Sequence, residues 1–407
     1  MSEVIPEGWI NTSIDSSCVI YDSLRVPLNS QERSLRLGPY PYYGANGVQG
    51  YIDNFIFDGT YLLLAEDGGY FDEWDSRPIS YLVSGKFWVN NHAHILQARP
   101  GYDTRFVHYN LVHKNILKFI NGGTRSKLNQ SDMREISFLA PPLPEQQKIA
   151  TILSSVDDVI EKTRAQIDKL KDLKTGMMQE LLTQGIGHTE FKDSPVGRIP
   201  AGWSVIDLGR LLDAIFDCEH KTAPYVEQSP YMVIRTSNVR NGELVFNDMR
   251  YTTHDAYDLW TRRAVPQYGD ILFTREAPAG ESCIVPEGIK ICMGQRLVLL
   301  RTNKNAVSSD FLSLYLNSQK AKSAIQDLTI GTTVTRINID DIGKIPCAIP
   351  SMTEQIKISL TLRSIIKKLS AETKKLYHLE AIKKALMQDL LTGKVRVKLD
   401  SPEVAAA

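Results

Sequence analysis

A chain that opens a long segment with LPEQQKIATILSSVDDVIEKT at Leu143, and opens another with MTEQIKISLTLRSIIKKLSAE 209 residues later, must use one structural unit twice. A single ungapped offset carries the match from Gly122 past Thr183. Gly122, Thr124, Asn129 and Asp132 meet Gly331, Thr333, Asn338 and Asp341. Pro141, Glu145, Gln146, Lys148, Ile149 and Leu153 meet Pro350, Glu354, Gln355, Lys357, Ile358 and Leu362, and the block closes as MQELLT against MQDLLT. IPEGW at Ile5 recurs as IPAGW at Ile199, only 194 residues on, so the second half holds 15 extra residues upstream of its repeat. One loop insertion between related units is the simplest explanation.

Within the repeat, Ile149, Leu153, Val156, Ile160, Thr163, Ile167, Leu170, Lys174, Met177 and Leu181 step by fours and threes, the spacing of one helical stripe. Ile358, Leu362, Ile365, Leu369, Glu372, Leu376, Leu379, Lys383, Leu386 and Leu390 take the same places in the second copy. Each segment follows prolines and ends near a glycine, Gly185 or Gly393. The spacing predicts two helices of roughly 55 to 60 Å at about 1.5 Å per residue. A stripe that narrow needs a partner of similar length, and the other copy is the obvious one, pairing antiparallel. The alternative is that each helix packs on its own domain.

At 407 residues the chain has room for two domains or more. The globular parts read as mixed α and β: FDGTYLLLAEDG and QYGDILFTREAPAG look like one strand and turn written twice, with helical stretches 105–120 and 309–328 following. The boundaries expected are 1–141 and 195–350 for the two domains, 142–194 for the first helix and its linker, 351–398 for the second helix, and 399–407 for a disordered tail. Five cysteines, Cys18, Cys218, Cys283, Cys292 and Cys347, without a CxxC pair, suggest reduced buried thiols in the cytoplasm. No apolar run of membrane-spanning length is present, and the N-terminus does not read as an export signal.

Charge gives no global attraction for an anion: 47 basic residues balance 47 acidic ones, and only the segment from Glu354 on is clearly basic. The amino-methyltransferase tetrapeptide and the phosphate-binding loop are absent. Gly44, Gly47 and Gly50 are spaced for a hairpin rather than a dinucleotide site. His92 and His94 would share a strand face without a nearby carboxylate or thiol, which favours polar contacts over a metal pair. Cys218, Glu219 and His220 are adjacent, as in a loop, and Asp341 is explained by its match to Asp132. No catalytic or metal site is expected.

The paired helix openings in P-x-x-E-Q, their closings in M-Q-[ED]-L-L-T, the I-P-x-G-W starts, GDILFTREAPAG, MGQRLVLLR, the pair GGTRSKLN and GTTVTRIN, and LLTGKV together resemble the specificity subunit of type I restriction-modification enzymes, over about residues 5 to 397. The resemblance implies an α+β chain of two similar target recognition domains, separated by two long helices that pair as an antiparallel coiled coil with pseudo-twofold symmetry. Each domain would read one half of a bipartite target in double-stranded DNA, with half-sites roughly 34 to 36 Å apart. Two methyltransferase subunits carrying S-adenosylmethionine, and two endonuclease subunits using ATP and Mg, would join a chain that binds no cofactor itself.

Base reading calls for Arg, Lys, Asn or Gln on exposed loops. The candidates in the first domain are Tyr42, Tyr43, Asn46, Lys86, Asn90, Asn91, His92, Arg125 and Lys127. Those in the second are Lys221, Arg235, Thr236, Asn238, Arg275, Gln295, Arg296 and Arg336. The family's pattern supports Asn91, His92, Gln295, Arg296, Lys127 and Arg336; loop chemistry alone suggests the rest. Glu145, Gln146, Glu354 and Gln355 are candidates for methyltransferase docking or, equally, for helix capping. With so few phosphate contacts, the isolated chain is expected to bind DNA weakly and to gain its backbone grip from the methyltransferases. The competing readings are a coiled-coil scaffold with two ligand-binding domains and an unrecognised nuclease.

Overall fold

The computed structural model describes residues 5–122, 126–331 and 335–399, so most of the expected tail lies outside the described residues. The chain forms two units: one holds the residues up to Arg164 together with those from Lys374 on, the other Ala165–Thr373.

In unit 1, strands β1 (Cys18–Ile20), β2 (Tyr40–Gly44), β3 (Gly47–Ile52), β4 (Phe57–Ala65), β5 (Ser80–Val89) and β6 (Ala93–Ala98) form a sheet of order β1-β6-β4-β5-β2-β3. The unbroken run Leu62–Ala65 is buried on both faces, as a central strand requires. Helix α1 (Thr104–Leu111) covers the sheet, capped by the Asp103 carboxylate. Ile10–Ser13 pairs antiparallel with Ser137–Ala140, leading into the long helix α2 (Leu143–Leu181).

Unit 2 follows the same course. Strands β7 (Leu212–Asp217), β8 (Tyr231–Ile234), β9 (Arg250–Thr252), β10 (Ile271–Thr274), β11 (Ser282–Ile284), β12 (Lys290–Met293) and β13 (Leu297–Thr302) form sheets of order β7-β13-β10-β11 and β9-β8-β12. The first repeats β1-β6-β4-β5. The second repeats β3-β2 and the end of β5, because the parallel pair of Tyr43 with Val89 recurs as Ile234 with Met293. What is one strand in unit 1, bent at Gly85 where φ is +85°, is two strands in unit 2. Helices α3 (Ser309–Leu316) and α4 (Met352–Leu391) correspond to α1 and α2.

Two expectations need correction. The length difference is not one insertion: most of the gain falls between Ile234 and Arg275, where unit 2 adds the helix His254–Thr261 and unit 1 has no counterpart, and β11–β12 gives some of it back. The helical stretches after the sheets are also interrupted: α1 is followed by the short turn Leu117–Phe119, and the stretch 309–328 is two helices, Ser309–Leu316 and Gln319–Asp327. Asn115 accepts from Leu117 N–H and Ser318 from Ala321 N–H, and these side-chain caps restart the chain after α1 and α3.

The long helices pair antiparallel within each unit. In unit 1, Arg164 meets Glu380 at 2.6 Å and Asp157 meets Lys383 at 2.6 Å, one sequence rising as the other falls. In unit 2, Gln166 donates to Glu372, and Met177, Met178 and Leu181 share a core with Ile358 and Leu362. Every residue of both stripes is buried or half-buried. Two of the stripe's polar residues find partners along or across the pair: Thr163 donates to Val159 O, and Lys383 reaches Asp157. All five cysteines are buried and unpaired. Among the described residues no helix is long and apolar enough to cross a membrane.

Candidate nucleic-acid interface

In each unit the loops at one end of the sheet are tied by the same four main-chain contacts. In unit 1, Glu66 N–H donates to His92 O (2.9 Å), Leu128 N–H to Glu66 O (2.7 Å) and Asn90 N–H to Tyr43 O (3.0 Å), and Asp67 bridges to Lys127. In unit 2, Arg275 N–H donates to Arg296 O (2.9 Å), Ile337 N–H to Arg275 O (2.9 Å) and Gly294 N–H to Ile234 O (2.7 Å), and Glu276 bridges to Arg336. Glu66, Asp67, His92 and Lys127 therefore stand where Arg275, Glu276, Arg296 and Arg336 stand. A fixed frame of this kind lets the side chains it carries change without moving the loops.

The charges on the two frames differ. In unit 1 a carboxylate sits at the centre: Glu66 binds Arg25 and also meets Lys127 at 3.2 Å. Behind it, the buried His94 puts Nδ1 2.6 Å from Asp22 and Nε2 2.9 Å from Leu128 O. Burial alone would raise the Asp22 carboxyl, but hydrogen bonds from His94, Gln130 and the Ile95 amide more than offset it and hold it below the usual carboxylate range. In unit 2 the centre is a guanidinium: Arg275 lies 3.4 Å from Asp217, which also meets His220 at 2.5 Å. Arg296 and Arg336 stand exposed beside it, Arg296 within 3.5 Å of Glu276.

The expectation that no carboxylate lies near His92 and His94 is overturned: Asp67 lies 2.5 Å from His92, and Asp22 and Glu66 adjoin His94, brought in by the turn after β1 and the loop after β4. Asp22, Glu66 and His94 are close enough to hold a cation, as are Asp217, Cys218 and His220. Arg25 and Lys127 already fill the first group and Arg275 enters the second, so the chain's own cations meet that charge.

Of the candidates, Asn91, Lys127, Gln295, Arg296 and Arg336 are exposed on these loops and His92 is half-exposed. Lys86 is exposed over the Phe55 ring, and exposed Asn46 donates to Gly68 O. Lys221 is exposed next to His220, whose carbonyl accepts from Gln295. Half-buried Thr236 opens a short turn, and Arg235 is engaged by Asp248 at 2.8 Å. Arg125 lies outside the described residues.

Other candidates are structural. Tyr42 is 1% exposed, with its hydroxyl held by the Leu28 main chain. Tyr43 packs against Tyr81 and Phe87. Asn90 is buried and its Oδ1 accepts from His92 N–H, shaping the turn. Asn238 is fully buried, bonded to Arg235, Val245 and Asn247. Small polar residues in loops serve the turn as readily as a ligand.

The docking expectation for the Glu-Gln pairs also changes. Gln146 accepts from Asp103 N–H and donates to Pro141 O; Gln355 accepts from Ser308 N–H and donates to Pro350 O. Glu145 takes both nitrogens of the Arg396 fork at 2.7 and 2.8 Å. Glu354 accepts from Ile186 N–H, His188 and Trp203. These side chains point inward and pin each helix start to its own domain.

Loop chemistry read along the sequence overlooks Arg33 and Gln49. Gln49 is exposed on the edge strand β3 and accepts from Asn90 Nδ2 (3.2 Å) and Arg33 Nη1 (3.5 Å). Its place between two glycines, Gly47 and Gly50, both at positive φ, was the available signal.

The sequence pattern described as "Type I restriction modification DNA specificity domain" matches residues 7–172 and 215–381. The chain is 32% identical over 290 residues to the type I restriction enzyme MjaX specificity subunit of Methanocaldococcus jannaschii, covering 70% of this chain and 66% of that protein. It is 26% identical to the MjaVIII specificity subunit of the same organism, over 97% of this chain and 94% of that protein. The crystal structure of a type I restriction-modification system S subunit from M. genitalium superposes with a TM-score of 0.66 at 16% identity, covering 96% of this chain and 97% of that one. Matched in both halves, the chain belongs to the family of type I restriction modification DNA specificity domains.

Proposed function

We propose that this chain is the DNA specificity subunit of a type I restriction-modification complex, with each unit reading one half of a bipartite target. The observation that carries the reading is the repeated loop frame: the same main-chain bonds in both units, bearing different exposed side chains. Two related readers with different side chains suit a target of two unlike halves. In unit 2, exposed Arg296 and Arg336 suit bidentate contacts to guanine or to phosphate, and Gln295 suits adenine. In unit 1, Asn91 and Gln49 suit adenine, and Lys127 suits phosphate.

The chain acts as a non-catalytic ruler. Its paired helices set the spacing, and it holds two methyltransferase subunits with S-adenosylmethionine and two endonuclease subunits using ATP and Mg. The balanced charge supports a division of labour in which the methyltransferases provide most of the grip on the DNA backbone. The test is methylome sequencing of cells expressing the chain with its methyltransferase. Adenine modification on both strands at one split motif is expected, with Gln295→Ala and Arg296→Ala altering only one half. A contiguous motif, or changes in both halves, would sink the reading.

A further inference from the structure

The helix that unit 2 adds and unit 1 lacks, His254–Thr261, ends beside the loop frame. It starts on a cap from the Thr253 hydroxyl and seats Tyr257 and Trp260 against Ala223, Val233 and Cys292. Past its last residue, two arginines turn back to residues 217–221, where β7 ends. Arg262 holds Glu219 through two nitrogens of its guanidinium, at 3.2 and 2.8 Å, and the Glu219 side chain is only 12% exposed. Arg263 donates to the carbonyls of Asp217 and Cys218 at 3.2 and 3.0 Å, and the Trp260 indole N–H donates to that of Lys221 at 3.4 Å.

Those bonds close on one residue. His220 has a φ of +56°, a left-handed conformation that a residue with a side chain keeps only where its surroundings hold it. Glu219 before it is fixed by its side chain and Lys221 after it by its carbonyl, so the His220 peptide between them is fixed as well. The His220 carbonyl accepts from Gln295 Nε2 at 3.1 Å. A carbonyl can only accept, so the Gln295 amide must turn its nitrogen inward and its oxygen outward. One N–H is occupied; the oxygen and the second N–H remain, the pair that adenine N6 and N7 engage together. In unit 1 Asn91 takes the place of Gln295, and Arg25 reaches its main-chain carbonyl at 3.4 Å rather than its amide.

We infer that Arg262 and Arg263 are positioning residues for base reading: through Glu219 and the His220 peptide they hold the Gln295 amide in the orientation that adenine requires. The inference rests on the function proposed above and names what the added helix contributes to it. Both arginines are exposed, so a phosphate contact is the competing role. Reaching a phosphate would take the Arg262 guanidinium off a carboxylate that is mostly buried, and such a charge is costly to leave unpaired.

The test uses the full chain assembled with its methyltransferase, and selection from a randomised duplex library reads the discrimination at every base pair. Gln295→Ala is expected to lower discrimination about tenfold at one base pair, as the loss of a bidentate contact does. Arg263→Ala is expected to lower it about threefold at that same base pair and nowhere else, and the combined variant to be no worse than Gln295→Ala alone. Glu219→Gln, which keeps the shape of the anchor and removes its charge, is expected to follow Arg263→Ala. No loss at that base pair in Arg263→Ala or Glu219→Gln, losses that add in the combined variant, or a loss spread evenly over all base pairs with a shallower salt slope would overturn the inference. So would an unchanged Gln295→Ala, which leaves nothing to position. A wild-type complex that selects no split motif would instead overturn the functional reading beneath it.

Discussion

Unit 1 and unit 2 close on the same kind of clasp, built with different chemistry. In unit 1, Glu145 at the start of α2 grips Arg396, which lies 5.8 Å from the centre of the Trp9 ring. In unit 2, Glu354 at the start of α4 grips His188, which stands edge-on to Trp203, and also accepts from the Trp203 indole N–H at 3.2 Å. Trp9 Nε1 is buried without a hydrogen-bond partner among the described residues. The backbone course is shared, but only the second clasp makes the tryptophan part of a polar network. This shows that a duplicated scaffold fixes where residues meet, not what the meeting contributes.

The largest effect tests the packing that the two clasps share. Trp203→Ala is expected to destabilise unit 2 by about 4 kcal/mol and Trp9→Ala to destabilise unit 1 comparably, as truncation of a buried aromatic does. Phenylalanine separates them: Trp203→Phe is expected to cost about 1 to 2 kcal/mol more than Trp9→Phe, because it leaves a carboxylate oxygen without its donor. Urea unfolding followed by hydrogen exchange in peptides of each unit measures both. Equal costs for the two phenylalanine variants would show that the indole bond adds nothing.

Acid should separate the units further. Burial, helped by the nearby Lys383 ammonium, pushes His108 in α1 down to about 3, so it is neutral in the fold. Its counterpart in α3 is Ser313, which does not titrate. The unfolded imidazole binds a proton near pH 6.5 and the folded one does not until far lower. Stability is therefore complete above about pH 6.5 and is lost as pH falls toward 3, by up to about 1.4 kcal/mol per pH unit. Exchange protection in α1 peptides should fall between pH 6.5 and 5 faster than in α3 peptides.

Much of this was written in the sequence. The stripe from Ile149 to Leu181 and its copy predict the buried faces of both helices residue by residue, because helix periodicity is local. LLLAED and ILFTRE were recognisable as one strand for the same reason. The destinations of Glu145 and Glu354 were not legible: their partners lie 251 residues away at Arg396 and 166 away at His188. Nor could Tyr42, Asn90 and Asn238 be told from readers, since a turn residue and a base contact draw on the same side chains. The carboxylates beside His92 and His94 were hidden because strand order, not sequence distance, brings them in.

On DNA the frames should differ in salt dependence. In the assembled methyltransferase complex, Arg296→Ala with Arg336→Ala is expected to lower the slope of log affinity against log salt by about 1.8, roughly 0.9 for each phosphate no longer neutralised. His92→Ala with Lys127→Ala should lower it by less than half of that, because Asp67 and Glu66 engage those side chains at 2.5 and 3.2 Å, closer than the 3.5 Å at which Glu276 meets Arg296. Equal slopes would mean that the acidic frame opens on binding.

The smallest effect asks whether unit 1 reads from its edge strand as well as its loops. Gln49 shares its acceptor oxygen between Asn90 and Arg33, which leaves its amide nitrogen free to pair with a base edge while the oxygen fixes its direction. Unit 2 has no such pair among the described residues, since Asp248, just before β9, engages Arg235. Gln49→Ala should therefore weaken discrimination at one base pair of one half-site by about 1 to 3 kcal/mol, with stability unchanged because the side chain is exposed. Selection from a randomised duplex library measures this. A uniform loss across all positions would make Gln49 a support for the loop, and no loss would leave the reading in unit 1 to Asn91 and His92.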